Sequence, residues 1–395
     1  MNAAEFDKAV EIFQKSGDYK EPIAFGIARL DRAKNAGERV LQATYAHVNY
    51  RENYKSAAAY LNALKLSGEA CDVSGAELIA SVSARFINEA LNLFEPFIDE
   101  AEGDRHRNVQ VLLSLAEIGA EQSLSDYRVA FLFADEAPKT VEAVYLKLYA
   151  LSLGKAALRS LNLDGAFGIL PNVAWAGGEP IDLDWLRENE IDLKLRGEFP
   201  NIDYVDKFPR YLRHIIPSDN TRILDGSKVR FGAHLAAGTT VMPGASYVNF
   251  NAGTTGACMV EGRISSGAVV GAGSDIGGGA SILGVLSGTS GKPVTIGKNT
   301  LLGANSVTGV PLGDGCIVDA GIAVLEGAKI AIDAKEAIEI AKANPSFHVS
   351  GEQTQIVKGA DLAGLHGIHY RVNSQTGRMQ AFRSKREVKL NADLH

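Results

Sequence analysis

The sequence predicts an α/β domain over residues 1–220, a parallel β-helix over 221–331 and a small helix-and-hairpin region over 332–395. Two observations carry the β-helix. Branched apolar residues recur every six positions in the middle of the chain. In addition, 23 of the 41 glycines fall between Gly226 and Gly327, which gives that window a texture unlike either flank. A third observation frames it: the flanks show helical or alternating patterns, and the six-residue period stops after Ile330. A chain of 395 residues is also too long for one ordinary core.

In the first part, "AAEFDKAVEIFQK" and "GAELIASVSARFINEALNLFEPFIDEA" carry apolar residues at helical spacing, with charges opposite. "VEAVYLKLYALSLGK" predicts another helix, opening near Lys139 and Thr140, and "YRVAFLFAD" a strand. The polar, proline-punctuated stretch from "GGEPIDLDWLRENE" to "DKFPRYL" reads as loop-rich.

In the second part the six-residue series runs Val229, Leu235, Val241, then Ile264, Val270, Ile276, Ile282. After one shift come Ile296 and Leu302, and after another Leu312, Val318, Val324 and Ile330. Each hexapeptide supplies a short strand and a corner, three make a triangular coil, and the branched residue fills the interior. Small residues follow it, as in "VGAGSD" and "IGGGAS", where tight corners need them. About five or six stacked coils fit the window, none stable alone. The frame breaks at Tyr247–Cys258, at Ser287–Val294 ("SGTSGKPV", a loop thrown from a corner) and at Thr308–Pro311. Loops on a rigid solenoid are where sites are built.

In the third part "DAKEAIEIAKAN" predicts a helix with Asp333 as N-cap, and "IHYRVNSQTGRMQAFRS" a hairpin.

Composition narrows the function classes. The net charge is −7, and the basic residues form only short pieces such as "RSKRE", which argues against nucleic acid or an anionic membrane as partner. No apolar run is long enough to span a membrane, and "MNAAEFDKAVEIFQKS" lacks a secretory h-region. Three cysteines without a CxxC motif fit a reducing cytoplasm.

"GAGSDIGGG" lacks the dinucleotide-binding spacing, "SGTSGKPV" lacks that of a phosphate loop, and HExxH and GxSxG do not occur. Within the β-helix window the one histidine, His234, reads as a surface or corner residue rather than a base. Asp225, Asp275, Asp314 and Asp319 each adjoin small residues and read first as turn caps. Glu261 differs, because "MVEGRIS" places it two residues before Arg263 at the end of an irregular stretch. Spacing alone leaves open a surface ion pair or a catalytic pair.

The segments "VNFNAG", "MVEGRIS", "GSDIGGGAS" and "LLGANS", together and in that order, resemble the tetrahydrodipicolinate N-succinyltransferase family in its longer bacterial form. The resemblance is close over about residues 226–330 and extends to "YRVNS" and "LNADLH". It implies a left-handed β-helix and a homotrimer with sites between neighbouring helices. It also implies succinyl transfer from succinyl-CoA to the amine of ring-opened tetrahydrodipicolinate, in lysine and diaminopimelate synthesis.

On that resemblance Glu261 is the catalytic carboxylate, as general base or as nucleophile, and Arg263 clamps a substrate carboxylate. Amides of Gly277–Gly279 would face the developing oxyanion. Gly278, Ser281, Ala304, Asp319, Ala320, Gly327, Arg371, Asn373 and Ser374 would line the succinyl-CoA site, and Lys335 would face a CoA phosphate. Asn249 and Asn251 would belong to the acceptor pocket.

Some members of the family hold a divalent ion on the trimer axis with two acids. Here the corresponding places are Ser227 and the stretch around Ala245, so no metal is expected, and no tightly bound cofactor. The rival readings are an acetyl-CoA-using relative and a non-catalytic β-helix scaffold.

Overall fold

A computed structural model describes residues 2–34, 39–98, 106–285 and 291–390. The chain divides into two compact units. One is Met1–Ala150 with Ser160–Pro209, and the other is Leu151–Arg159 with Arg210–His395. This division departs from the sequence boundaries at 220 and 331. Residues 151–159 belong with the β-helix, and the C-terminal region continues it rather than standing apart.

The first unit is built on a four-stranded antiparallel sheet. In spatial order its strands are Val40–Tyr50, Ala24–Arg32, Tyr127–Leu132 and Glu77–Ser81. Helices Ala3–Gln14, Tyr54–Ser67, Ala84–Leu93 and Arg107–Glu121 add to its core, where Phe25 stacks on Phe131. Two sequence expectations need correction. The helix expected from residue 75 begins at Ala84, where the Ser83 hydroxyl caps the Phe86 N–H at 3.2 Å. Ahead of it, Leu78 and Ala80 alternate inward on a strand. The stretch taken as loop-rich holds helix Leu183–Arg196 and the small sheet of Val173–Ala176, Glu179–Asp182 and Tyr204–Asp206. Asp182 caps that helix, accepting from the N–H groups of Asp184 and Trp185, and Gly197 ends it in a left-handed conformation.

In the second unit, two-residue strands stack in register on three faces of a parallel β-helix. Face I holds Arg222–Ile223, Thr240–Val241, Met259–Val260, Asp275–Ile276, Leu301–Leu302 and Ile317–Val318. Face II holds Tyr247–Val248, Arg263–Ile264, Ser281–Ile282, Val307–Thr308 and Ala323–Val324. Face III holds Gly253–Thr254, Val269–Val270 and Thr295–Ile296. Every residue of the sequence-derived apolar series is buried, from Val229 to Ile330.

The frame does not lapse at 247–258. It passes through Val248, Thr254 and Val260, all fully buried. One residue is added between Val241 and Val248, and two are removed between Val260 and Ile264. Thr254 is tolerated inside because its hydroxyl meets that of Thr239 at 2.7 Å. At the other shortened turn, Thr308 donates its hydroxyl to the Val310 carbonyl at 2.8 Å. The first half of the loop expected at 287–294 lies outside the described residues.

At the C-terminal end, Ile368–Val372 adds to face I in parallel with Ile317–Val318 and pairs antiparallel with Met379–Arg383. Helix Ala334–Ala343 starts after Asp333, whose side chain makes no cap bond and accepts from the Thr354 hydroxyl at 3.2 Å instead.

Candidate functional site

The register stacks the residues that follow face I into one column. Val260 pairs with Ile276, Ile276 with Leu302, Leu302 with Val318 and Val318 with Tyr370. The next residues therefore line up as Glu261, Gly277, Gly303, Asp319 and Arg371 at the corner between faces I and II. Rungs lie about 4.8 Å apart, so the column is roughly 19 Å long.

Glu261 stands where the coil is two residues short. Its N–H donates to the Ile276 carbonyl at 2.8 Å, and its own carbonyl accepts from the Gly279 N–H at 3.2 Å. The tight turn demands Gly262, because a Cβ there would lie 2.3 Å from the Ala280 carbonyl oxygen. The Glu261 carboxylate lies over Gly278, where a Cβ would sit 3.6 Å from Oε2. On the adjoining strand of face II, Arg263 is exposed and donates Nε and Nη2 to the Ser281 hydroxyl, at 3.1 and 2.6 Å. At this rung Glu261 thus stands against a turn of Gly277, Gly278, Gly279 and Ala280, with Arg263 on the strand that follows.

The amides of this corner are unequally used. Those of Gly277, Gly303 and Asp319 donate to Leu302, Val318 and Tyr370, and those of Gly279, Asn305 and Gly321 to Glu261, Gly278 and Ala304. The middle amides, of Gly278, Ala304 and Ala320, take no acceptor among the described residues. They form a row of donors along the column, and Ala304 and Ala320 are exposed. Of the three glycine amides expected to face an oxyanion, therefore, Gly278 alone has its donor to spare.

At the far end of the column Asp319 accepts from His369 Nε2 and from Arg371 Nε, each at 2.7 Å. Burial raises the Asp319 carboxyl, but the bonds and charges of Arg371 and His369 outweigh it and hold it below the usual carboxylate range. Asp319 is thus not a turn cap. Sequence reasoning missed His369. Its signal was the alternation of "IHYRV", which puts His369 and Arg371 on the same side of a strand.

The remaining expected residues lie elsewhere. Gly327 follows the last strand of face II at the corner toward face III, and Asn249 and Asn251 occupy that corner four coils away. Asn249 Oδ1 accepts from Arg230 and from the Phe250 N–H. Asn251 has a left-handed backbone, and its Oδ1 takes the Arg159 N–H at 2.7 Å. Within one chain these asparagines serve the corner and are not beside Glu261. Asn373 builds the C-terminal hairpin turn, its Oδ1 accepting from the N–H groups of Gln375 and Thr376, with Ser374 exposed in that turn. Lys335 is exposed on its helix. His234 packs on Gly154, and its Nδ1 lies 3.3 Å from the Ser152 carbonyl, a structural role. The Asp225 carboxylate is taken up by the Ser227 N–H and hydroxyl, at 2.9 and 2.6 Å.

Profiles described as the N-terminal and middle regions of tetrahydrodipicolinate N-succinyltransferase match residues 4–168 and 170–210. A profile described as the hexapeptide repeat of succinyl-transferase matches 293–326. A Nitratiruptor protein named 2,3,4,5-tetrahydropyridine-2,6-dicarboxylate N-succinyltransferase is 60% identical over 99% of this chain and 98% of its own. The chain belongs to the tetrahydrodipicolinate N-succinyltransferase family. A Helicobacter pylori protein of the same name is 49% identical over 99% of both chains. A Campylobacter jejuni crystal structure, assigned as a 2,3,4,5-tetrahydropyridine-2-carboxylate N-succinyltransferase, superposes with a TM-score of 0.92 at 53% identity. That alignment covers 98% of this chain and 99% of the other. The family likeness spans both units, and the hexapeptide profile takes in Ala304, Asp319 and Ala320 of the corner column.

Proposed function

We propose that this chain transfers succinyl from succinyl-CoA to the amine of ring-opened tetrahydrodipicolinate, giving the N-succinyl product and CoA. The observation that carries the reading is the corner column: the Glu261 carboxylate, the Arg263 guanidinium held by Ser281 on the adjoining strand, and a row of unused amides on a rigid scaffold. Glu261 acts as general base. The acceptor nitrogen attacks the thioester carbonyl as its proton passes to Glu261, and a C–N bond forms. The Gly278 N–H stabilises the oxyanion. The C–S bond then breaks, and the CoA thiolate takes the proton back from Glu261.

Arg263, oriented by Ser281, holds a substrate carboxylate through its remaining nitrogen. The amides of Ala304 and Ala320 lie along the line of the column, where they bind carbonyl groups of the pantetheine arm. Asp319 orients Arg371 rather than meeting CoA itself. Gly327, Asn373, Ser374 and Lys335 extend the donor site. Asn249 and Asn251 reach an acceptor pocket only across an interface between copies.

The coil is left-handed, the assembly is a homotrimer with sites between neighbouring β-helices, and no tightly bound cofactor takes part. The enzyme is cytoplasmic. The three segments 1–220, 221–331 and 332–395 act as a trimer-packing part, a catalytic part and a donor-site cover.

Thiol release from succinyl-CoA or acetyl-CoA, with and without tetrahydrodipicolinate, tests this. The expected result is release that requires the acceptor and favours succinyl-CoA. Release from succinyl-CoA alone, with a succinylated chain by intact mass, would make Glu261 a nucleophile instead. Release from neither donor would leave a scaffold.

A further inference from the structure

The first unit contains a cavity of its own. It has a volume of about 350 Å³ and opens between strands Ala24–Arg32 and Val40–Tyr50 and helix Arg107–Glu121. Its apolar wall is made by Ile27 from the sheet and by Val111, Leu115 and Ile118, which recur at helical spacing along one face of the helix. Arg29 and Arg107 contribute to its lining, with the His47 ring beside them, and no Asp or Glu does among the described residues. Arg29 uses Nη1 on Asp31, at 2.8 Å, and Arg107 makes a 3.3 Å bond to Gln110. Neither bond saturates a guanidinium with five donors.

Thr44, also in the lining, has a buried Oγ1 without a hydrogen-bond partner among the described residues. A concave, largely apolar site with a few convergent polar groups is the usual form of a small-molecule pocket.

We propose that this cavity binds a small amphiphilic carboxylate, its anionic end between Arg29 and Arg107 and its hydrocarbon tail against Ile27, Val111, Leu115 and Ile118. The matched pair of charge and apolar wall selects the anion over a neutral molecule of the same length. The site is separate from acyl transfer, so its test does not depend on that activity.

Calorimetric titration of the full-length protein with hexanoate, and with hexanol for comparison, reads the proposal. Hexanoate should bind at millimolar concentration or below, and hexanol at least tenfold more weakly. Arg29→Gln with Arg107→Gln should weaken hexanoate tenfold or more. Ser114→Trp, an exposed helix position that lines the cavity, should abolish binding while leaving succinyl transfer unchanged. No binding by the wild type, equal binding of hexanol, or binding that survives both variants would each overturn the proposal.

Discussion

Two corners of the same β-helix solve one geometric problem in opposite ways. At the upper rungs of the corner between faces III and I, after Ile296 and after Leu312, the second residue finds an acceptor inside the chain, whereas lower down the amides of Gly256 and Ala272 take none among the described residues. The Lys298 N–H donates to Asp314 Oδ1 at 2.7 Å, and the Asp314 N–H donates to His366 Nδ1 at 2.9 Å. Buried groups then run up this corner as a ladder. The Cys258 thiol donates to the Gly271 carbonyl, the Ser274 hydroxyl to Gly297 and the Thr300 hydroxyl to Gly313, at 3.2, 2.8 and 3.0 Å. Burial pushes the thiols of Cys258 and Cys316 up to about 11, so both stay protonated and inert.

At the corner between faces I and II the equivalent amides, of Gly278, Ala304 and Ala320, are left over. No ladder forms there, and the buried Ser306 hydroxyl has no partner among the described residues. The same six-residue repeat therefore gives one corner whose upper rungs close on themselves and one that keeps an unused donor at each of three successive rungs. On the proposed function, the side with three successive unused donors beside Glu261 is the reactive side of the helix.

The contrast can be broken in stages. Gly262→Ala should have the largest effect on stability, because the new Cβ meets the backbone oxygen of Ala280 rather than a yielding side chain. A loss of about 1–3 kcal/mol is expected from overpacking, measured by urea denaturation, together with displacement of Glu261 and lost activity. Gly315→Ala, in open space at the closed corner, should lose only about 1 kcal/mol through its positive φ and keep its rate.

Thr300→Val should cost about 1–3 kcal/mol by breaking the ladder, without changing turnover. Ser306→Ala should be neutral or stabilising, since it removes a hydroxyl with no described partner. A stabilised Thr300→Val protein would mean that the ladder contributes nothing.

Ala304→Pro separates the donor from the fold. Ser306 N–H bonds the Gly303 carbonyl at 3.0 Å and Asn305 has a φ of 56°, so Ala304 occupies the turn position that proline favours. The melting temperature should hold or rise. KM for succinyl-CoA should rise about threefold to tenfold, the value of one hydrogen bond. An unchanged KM would remove Ala304 from the donor site.

The smallest effect concerns Asp319. Its carboxyl is held below the ordinary value in the folded chain, so its contribution to stability is present above the unfolded carboxylate pKa of about 3.9. That contribution is lost as pH falls through the folded value. Asp319→Asn should thus lower the melting temperature slightly near neutral pH, and the two proteins should converge in acid.

The sequence showed the interior of the β-helix plainly because branched residues at a six-residue period have one place to go. It concealed the frame between Val241 and Ile264, since Thr254 is polar and the added and removed residues disguise the register. Helix Leu183–Arg196 was hidden by charges all round it, although Asp182 and Gly197 were readable as its caps. Glu261 and Arg263 were legible as a pair. The row of free amides was not, because which N–H groups remain depends on the register of the whole stack. Nor was the partner of Asp319, which lies 50 residues away at His369.

The central claim is that chemistry belongs to the outward corner and not to the repeat in general. It is tested most directly by acceptor-dependent CoA release from succinyl-CoA with Glu261→Gln and with Asp314→Asn, which alters an acid on the closed corner while keeping its acceptor oxygen. The account predicts a fall of about 10²–10⁴-fold in kcat for Glu261→Gln, the range for a general base, with Asp314→Asn close to wild type. Full activity in Glu261→Gln, or an equal loss in both variants, would contradict it.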